Sequence, residues 1–236
     1  MEQTKISIFQ RPVWVSVFAL TAAIAWGWAF PLIKVGFNAF GITPDMTGSK
    51  MLFAGIRFAV AGLIVLSVAR SSGRSFKTNK MSDWYFIIAF TLMNTTLHYF
   101  FFYIGMSHSE GSRAAILNSL STFLVVLLAC ACFRSDRLTS RKILGCSVGF
   151  SGILALNLGG AESGQFSWLV DGMIILNAFC SAMANLMTRR LSRMVDVFVG
   201  TGYSLSIGGM LLIISGLYFD GTLPNINMSG ILCLIY

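Results

Sequence analysis

Long apolar stretches separated by short polar loops repeat along the whole chain, seven of them complete and an eighth opening at Ser229. Each complete stretch holds about 18 to 24 residues, enough at 1.5 Å per residue to cross a hydrocarbon core of roughly 30 Å as a helix, several with some tilt. The pattern predicts helices over residues 13–35, 47–69, 83–106, 112–133, 141–158, 168–188 and 197–219, with the eighth from residue 229. The expected fold is therefore all-α, a polytopic membrane helix bundle. No loop is long enough to carry a soluble domain.

Charge then orients the bundle. With Met1 in the cytoplasm, alternate loops hold Lys5 and Arg11, then Arg70, Arg74, Lys77 and Lys80, then Arg134, Arg137, Arg141 and Lys142, then Arg189, Arg190 and Arg193, thirteen of the seventeen Lys and Arg. The opposite loops hold only Lys34, Lys50 and Arg113, and carry Asp45, Glu110, Glu162, Asp171 and Asp220. Basic residues concentrate on the cytoplasmic side of membrane proteins, so the expected placement is a multi-pass protein of the cell membrane with its N-terminus inside.

Composition supports the same class. With 56% hydrophobic and 11% charged residues, and a mean hydropathy of +0.75, the outside of the bundle must be as apolar as its interior. A formal charge of +8 would ordinarily point to nucleic acid, but these cations sit in short loops at one face, where the partner is the anionic leaflet of the bilayer. No nucleic-acid partner is expected. The chain carries no Rossmann glycine signature, P-loop or zinc-protease motif, and no cofactor or metal is called for. Cys130, Cys132, Cys146, Cys180 and Cys233 all fall inside spans and read as packing residues. Cys130 and Cys132, two apart, diverge on a helix and make a poor metal or redox pair.

The N-terminal stretch is long enough to span and lacks a signal cleavage site, so it reads as a retained first helix. Residues 230–236 stop after about two turns of an apolar helix, and a bilayer does not accept a half-span with unsatisfied carbonyls. The 236 residues are accordingly expected to be a truncated form of a longer chain. Small residues at helical spacing, Gly55 with Ala59, Gly145 with Gly149 and Gly152, and Ser204 with Gly208, allow close backbone approach inside one bundle; the alternative is a homodimer face.

Several runs resemble the drug/metabolite transporter superfamily, specifically its EamA-type permeases. They are Trp26-Gly27-Trp28-Ala29-Phe30-Pro31-Leu32-Ile33-Lys34, Ala54-Gly55-Ile56-Arg57-Phe58, and His98-Tyr99-Phe100-Phe101-Phe102-Tyr103-Ile104-Gly105 continuing through Ser112 to Ile116, Asp136-Arg137-Leu138-Thr139 and Lys142 to Gly145. Met187-Thr188-Arg189-Arg190 closes a helix similar to the first of a second repeat. The proline often found in the middle of the fourth helix is absent around Ser119 to Phe123, and Asp136 replaces the usual Glu. The resemblance implies ten helices in two five-helix inverted repeats: residues 1–158 would be the first repeat and 168–236 an incomplete second one.

Inverted-repeat carriers bind solute near the midplane at the repeat interface, so polar groups at that depth are the candidates. Asn94 and His98 on the third helix, Asn118, Ser121 and Thr122 on the fourth, and Asn177 and Ser181 on the sixth share this level, with aromatic walls from Trp26, Trp28, Tyr99 and Tyr103. Such a layer suits a small zwitterionic or aromatic solute. His98 serves equally as an interhelical hydrogen bond or a titrating switch, and Asn118 and Asn177 equally as polar glue between helices. Arg57 is assigned a structural or gating role, because a mid-depth cation costs about 2.5 to 3.5 kcal/mol on insertion scales and the resemblance places an Arg there. Lys34 near a span end reads as a headgroup snorkel, with a positive rim for an anion as the alternative. Trp14, Trp84 and Trp168 at span ends read as interface anchors.

The expected function is secondary transport of a small metabolite, an amino acid or similar organic solute, by alternating access. Export is the expected direction, although the residues themselves fit import as well. A membrane-embedded assembly subunit is the alternative. An intramembrane enzyme is disfavoured, since the spans hold no second His, paired carboxylates or metal-ligand spacing. No Asp or Glu sits mid-span, so a proton relay has no evident carrier in this sequence.

Overall fold

The structure is a computed structural model that describes residues 12–78, 80–109, 111–133, 139–159, 167–225 and 227–235. Lys5, Arg11, Glu110, Arg134, Glu162 and the Asp136-Arg137-Leu138 turn lie outside the described residues. Every regular element among the described residues is helical: α1 (Pro12–Phe40), α2 (Thr47–Ser71), α3 (Met81–Thr91), α4 (Leu97–Ser107), α5 (Gly111–Asn118), α6 (Leu120–Cys132), α7 (Ser140–Gly159), α8 (Met173–Met194), α9 (Val197–Tyr218) and α10 (Met228–Ile235). A π-helical turn, Leu92–Thr96, joins α3 to α4, and a second, Trp168–Gly172, leads into α8.

Among the described residues five rods are long and apolar enough to cross a membrane: Val13–Phe40, Thr47–Ser71, Met81–Ser107, Trp168–Met194 and Val197–Tyr218. The chain is thus a polytopic helical membrane bundle. The remaining predicted spans take a different form. The fourth is divided at Ser119, whose hydroxyl donates to the Ile116 carbonyl at 2.6 Å while its own N–H bonds the same oxygen at 3.2 Å. A serine side chain that competes for backbone acceptors in this way interrupts a helix without any proline. The fifth, α7, is a single helix of 20 residues that opens with Arg141 and Lys142.

Helix ends follow local chemistry. α1 runs five residues past the predicted end and stops where Gly41 adopts φ +70°, a left-handed conformation that glycine takes without cost. α8 continues to Met194 because Arg189 and Arg190 stack their guanidinium groups over Phe133 and Phe86, 4.9 and 4.8 Å from the ring centroids. α9 begins at a cap in which Asp196 accepts from the Phe198 N–H at 2.9 Å.

The densest packing joins α2 to α9, which run antiparallel. Gly48, Gly55 and Gly62 recur every seven residues on α2 and face Gly216, Gly209 and Ser206 on α9. A Cβ on Gly55 would lie 2.7 Å from the Ile213 N and 2.8 Å from the Gly209 carbonyl oxygen. Glycine is required here because backbone, not side chain, fills the interface. Ser204 and Gly208 serve a different contact, since Gly208 abuts Thr95 on the first π turn. Gly149 abuts Phe123 of α6, whereas Gly145 and Gly152 face open space.

Two apolar clusters flank this seam. One gathers Phe37, Phe40, Phe53, Phe102, Tyr103, Met106, Ile174 and Leu212 from α1, α2, α4, α8 and α9. The other, at the opposite end, gathers Ala69, Ile87, Phe90, Leu191 and Val199. α1 touches the bundle through its second half and leaves most of its first half exposed.

Both ends are tied by ions. At one, Lys34 Nζ donates to the Ser109 carbonyl at 2.6 Å, and the fully buried Lys50 donates to Ser107 Oγ at 2.8 Å and to the Pro44 carbonyl. Nearby, Arg113 pairs with Asp171 at 2.9 Å. Burial and then the Lys50 cation push His108 below its ordinary range, with Asp45 opposing, so it is neutral at pH 7. At the other end Arg74 pairs with Asp196 at 2.7 Å and lies over the Phe198 ring at 4.1 Å.

Asp196 gives this second end a pH dependence. Burial raises its pKa, but the hydrogen bond from Arg74 and the Phe198 N–H outweigh that and hold it below the ordinary carboxylate value. A carboxylate depressed in the folded state stabilises above its unfolded pKa of about 3.9 and loses that contribution as pH falls through the folded value. Melting in detergent at pH 7 and pH 3 should therefore show acid destabilisation that Asp196→Asn reduces. Identical acid sensitivity in the two proteins would rule the pair out as a contributor.

Candidate functional site

A cavity of about 390 Å³ opens between α1, α2 and α4. Its α1 wall is a single helical face, Ala22, Ala25, Trp26, Ala29 and Ile33, at spacings that keep these positions in line. α2 contributes Arg57 and Phe58, and α4 contributes Tyr99, Phe102 and Tyr103. Arg57 is ten residues into α2, about 15 Å along its axis from Thr47, and so lies near mid-span. It is the one charged residue among the described residues lining the cavity.

The aromatic wall is built in contact. Tyr99 stacks on Phe58 with centroids 4.0 Å apart, stands 6.4 Å from Trp26, and meets Tyr103 at 6.3 Å. The Arg57 charge faces both phenols. Tyr103 is fully buried, and its hydroxyl finds no hydrogen bond of good geometry among the described residues, although the Arg57 guanidinium is beside it. The site therefore combines rigid π surfaces with one cationic, hydrogen-bonding corner.

A second polar cluster lies behind Tyr99. The His98 ring meets Tyr99 edge-on at 4.5 Å, and His98 Nδ1 is 3.3 Å from the Asn177 carbonyl, a bond that requires the proton on Nδ1. Asn177 is fully buried and its Nδ2 donates to Asn118 Oδ1 at 2.7 Å, while its Oδ1 has no partner among the described residues. A third cluster surrounds the first π turn, where Asn94 Nδ2 donates to Ser204 Oγ at 3.0 Å and Thr95 shares the same hydroxyl at 2.9 Å.

Residues 13–158, more than half of the chain, match the model of the EamA-like transporter family. The chain belongs to the EamA-like transporter family. Several of its relatives are named as transporters. An uncharacterized transporter, YvbV, of Bacillus subtilis (strain 168) is 26% identical over 84% of this chain and 61% of its own length. A probable terminal-alkyne amino-acid exporter of Streptantibioticus cattleyicolor is 26% identical over 68% of this chain and 50% of its own. The chain thus spans less than two thirds of the length of these curated relatives. A protein of solved crystal structure shares the fold at a TM-score of 0.63 and 18% identity, over 87% of this chain and 74% of its own.

Within this EamA-like bundle, the candidates read from the sequence separate into groups. Trp26, Arg57, Tyr99 and Tyr103 come together on the cavity wall. His98, Asn118 and Asn177 join one another behind it, and Asn94 joins Ser204. Trp28 is 61% exposed and Thr122 is exposed, each away from the wall, while Ser121 and Ser181 are half-buried outside the lining. Lys34 holds the Ser109 carbonyl. The lining residues absent from the sequence-based candidates are the apolar ones, Ala22, Ala25, Ala29, Ile33, Phe58 and Phe102. The signal for the α1 set was the run of small residues on the face of Trp26.

Proposed function

We propose that this EamA-like protein is a secondary carrier for a small organic solute, an amino acid or a similar molecule, which it exports across the plasma membrane. The observation that carries the reading is the mid-span cavity of about 390 Å³, walled by aromatic rings and an arginine, in a chain with relatives named as transporters. That volume lies at the lower end of the roughly 300–1,000 Å³ typical of small-molecule sites. The name of the Streptantibioticus relative supports an amino-acid-like solute. In this reading α5 with α6, and α7, cross the membrane with the five longer rods, α10 opens an eighth crossing, and two inverted five-helix repeats rock about the site with the N-terminus in the cytoplasm. Alternating access then opens the tied ends in turn, one held by Lys34, Lys50 and the Arg113–Asp171 pair, the other by Arg74–Asp196.

The test is uptake of labelled amino acids by proteoliposomes carrying the purified protein. Saturable flux is expected, and Trp26→Ala or Tyr99→Ala should lower it at subsaturating solute by about tenfold, the equivalent of one lost aromatic contact surface. Folded, reconstituted protein that moves no solute from a broad panel of amino acids and organic acids would sink the carrier reading.

A further inference from the structure

The cavity has one chemically distinct corner, and its composition restricts what can occupy it. Among the described residues that line it, Arg57 alone is charged and none is acidic. The Tyr103 hydroxyl, with the Arg57 guanidinium beside it, is fully buried and has no hydrogen bond of good geometry among the described residues. Buried polar groups are nearly always bonded, so an O–H of this kind suits an acceptor brought into the cavity. The rest of the wall is apolar: Trp26, Phe58 and Phe102, the ring of Tyr99, and the small side chains of α1.

We propose that Arg57 and Tyr103 form a recognition site for the carboxylate of an aromatic or similarly bulky apolar monocarboxylic acid, whose body packs against Trp26, Phe58, Tyr99 and Phe102. The planar guanidinium presents paired donors that match a carboxylate, and the Tyr103 O–H adds a third. Away from bulk water these charge-assisted bonds are strong. The described residues of the wall offer an ammonium group no carboxylate, so the acid is the group this corner selects. This rests on the carrier reading for its biological meaning, and it changes the role of Arg57 from the structural or gating one expected from sequence to direct solute contact.

The experiment is calorimetric titration of the purified full chain in detergent with four probes of similar size: 3-phenylpropionate, L-phenylalanine, 3-phenylpropionamide and phenethylamine. The two carboxylates are expected to bind roughly tenfold to a hundredfold tighter than the amide and the amine, the range for hydrogen bonds to a charged group. Arg57→Gln should abolish this preference, and Tyr103→Phe should weaken the carboxylates severalfold while leaving the amide unchanged. If Arg57→Gln does not fold, Arg57→Lys, which keeps the charge without the fork, and Tyr103→Phe decide the matter. Equal binding of acid and amide, a preference unchanged in folded variants, or no binding by any probe overturns the assignment. Saturable flux without acid preference leaves the carrier reading standing and removes this inference. Acid-selective binding without flux does the reverse.

Discussion

Replacing Gly209 with leucine is expected to destroy the folded bundle, with little or no monodisperse protein recovered in detergent. A Cβ at Gly209 would meet backbone, 2.8 Å from the Gly55 carbonyl oxygen and 2.9 Å from the Ala59 Cα. Neither atom can rotate aside, so α2 and α9 must separate, and the interface that depends on their close approach loses its dispersion contacts along several turns. Overpacking a tight site costs about 1–3 kcal/mol where side chains can shift, and a backbone clash belongs at or above the top of that range. Gly55→Leu should behave alike, since the same seam is entered from the other side. Gly145→Leu and Gly152→Leu are the controls: nothing lies within 4 Å of a Cβ at either position, so both should melt like the parent. A Gly209→Leu protein with parental yield and melting temperature would contradict the packing described for this seam.

The same contrast shows why part of the fold was legible in the sequence and part was not. Hydropathy is a property of length and composition, so α2 was bounded at residues 47–69 and is found over Thr47–Ser71. α8 runs past the predicted residue 188 to Met194, because arginine counts as polar in hydropathy yet continues the helix. Arg189 and Arg190 lay their guanidinium groups over Phe133 and Phe86, and a charge at the tip does not end a helix. The break at Ser119 depends on one hydroxyl choosing a backbone acceptor, which composition does not encode. Which glycines pack is also hidden: Gly55 and Gly145 carry the same local signature, yet one meets α9 and the other open space.

At the site, depth was legible and direction was not. Arg57, Tyr99 and Asn177 were placed near one level from span boundaries alone. In a soluble helix an apolar stripe reveals which side faces the core. Here the lipid-facing and packed sides are both apolar, so the sequence could not show that Tyr99 turns to the cavity while Asn177 turns to Asn118 and the His98 ring. The aromatic residues Trp26 and Trp28, two apart, diverge for the same geometric reason: one lines the cavity and the other is exposed. The apolar part of the wall carried no polar marker at all.

Arg113→Ala is expected to lower stability by about 3–5 kcal/mol, far more than loss of the exposed-end pair Arg74–Asp196. The difference lies in burial. The Asp171 side chain is 3% exposed, against 28% for Asp196. Asp171 Oδ2 accepts from Arg113 and from the Ser167 N–H at 3.0 Å, and its Oδ1 has no partner among the described residues. Removing the guanidinium leaves a carboxylate with one backbone donor and almost no water, and the energy lost is the desolvation of that charge more than the worth of the pair itself. It follows that Asp171→Asn should rescue part of the loss in the Arg113→Ala background, because the amide oxygen still caps Ser167 N–H without a charge to bury. A thermal-melt double-mutant cycle measures this. Additive losses would mean that Asp171 draws its support from elsewhere. The coupling also bears on transport, because the pair joins α5 to the π turn ahead of α8, at the end also tied by Lys34 and Lys50. If that end must open in each cycle, a rescued double variant should cross its opening step faster than the parent and show flux that outlasts its loss of stability.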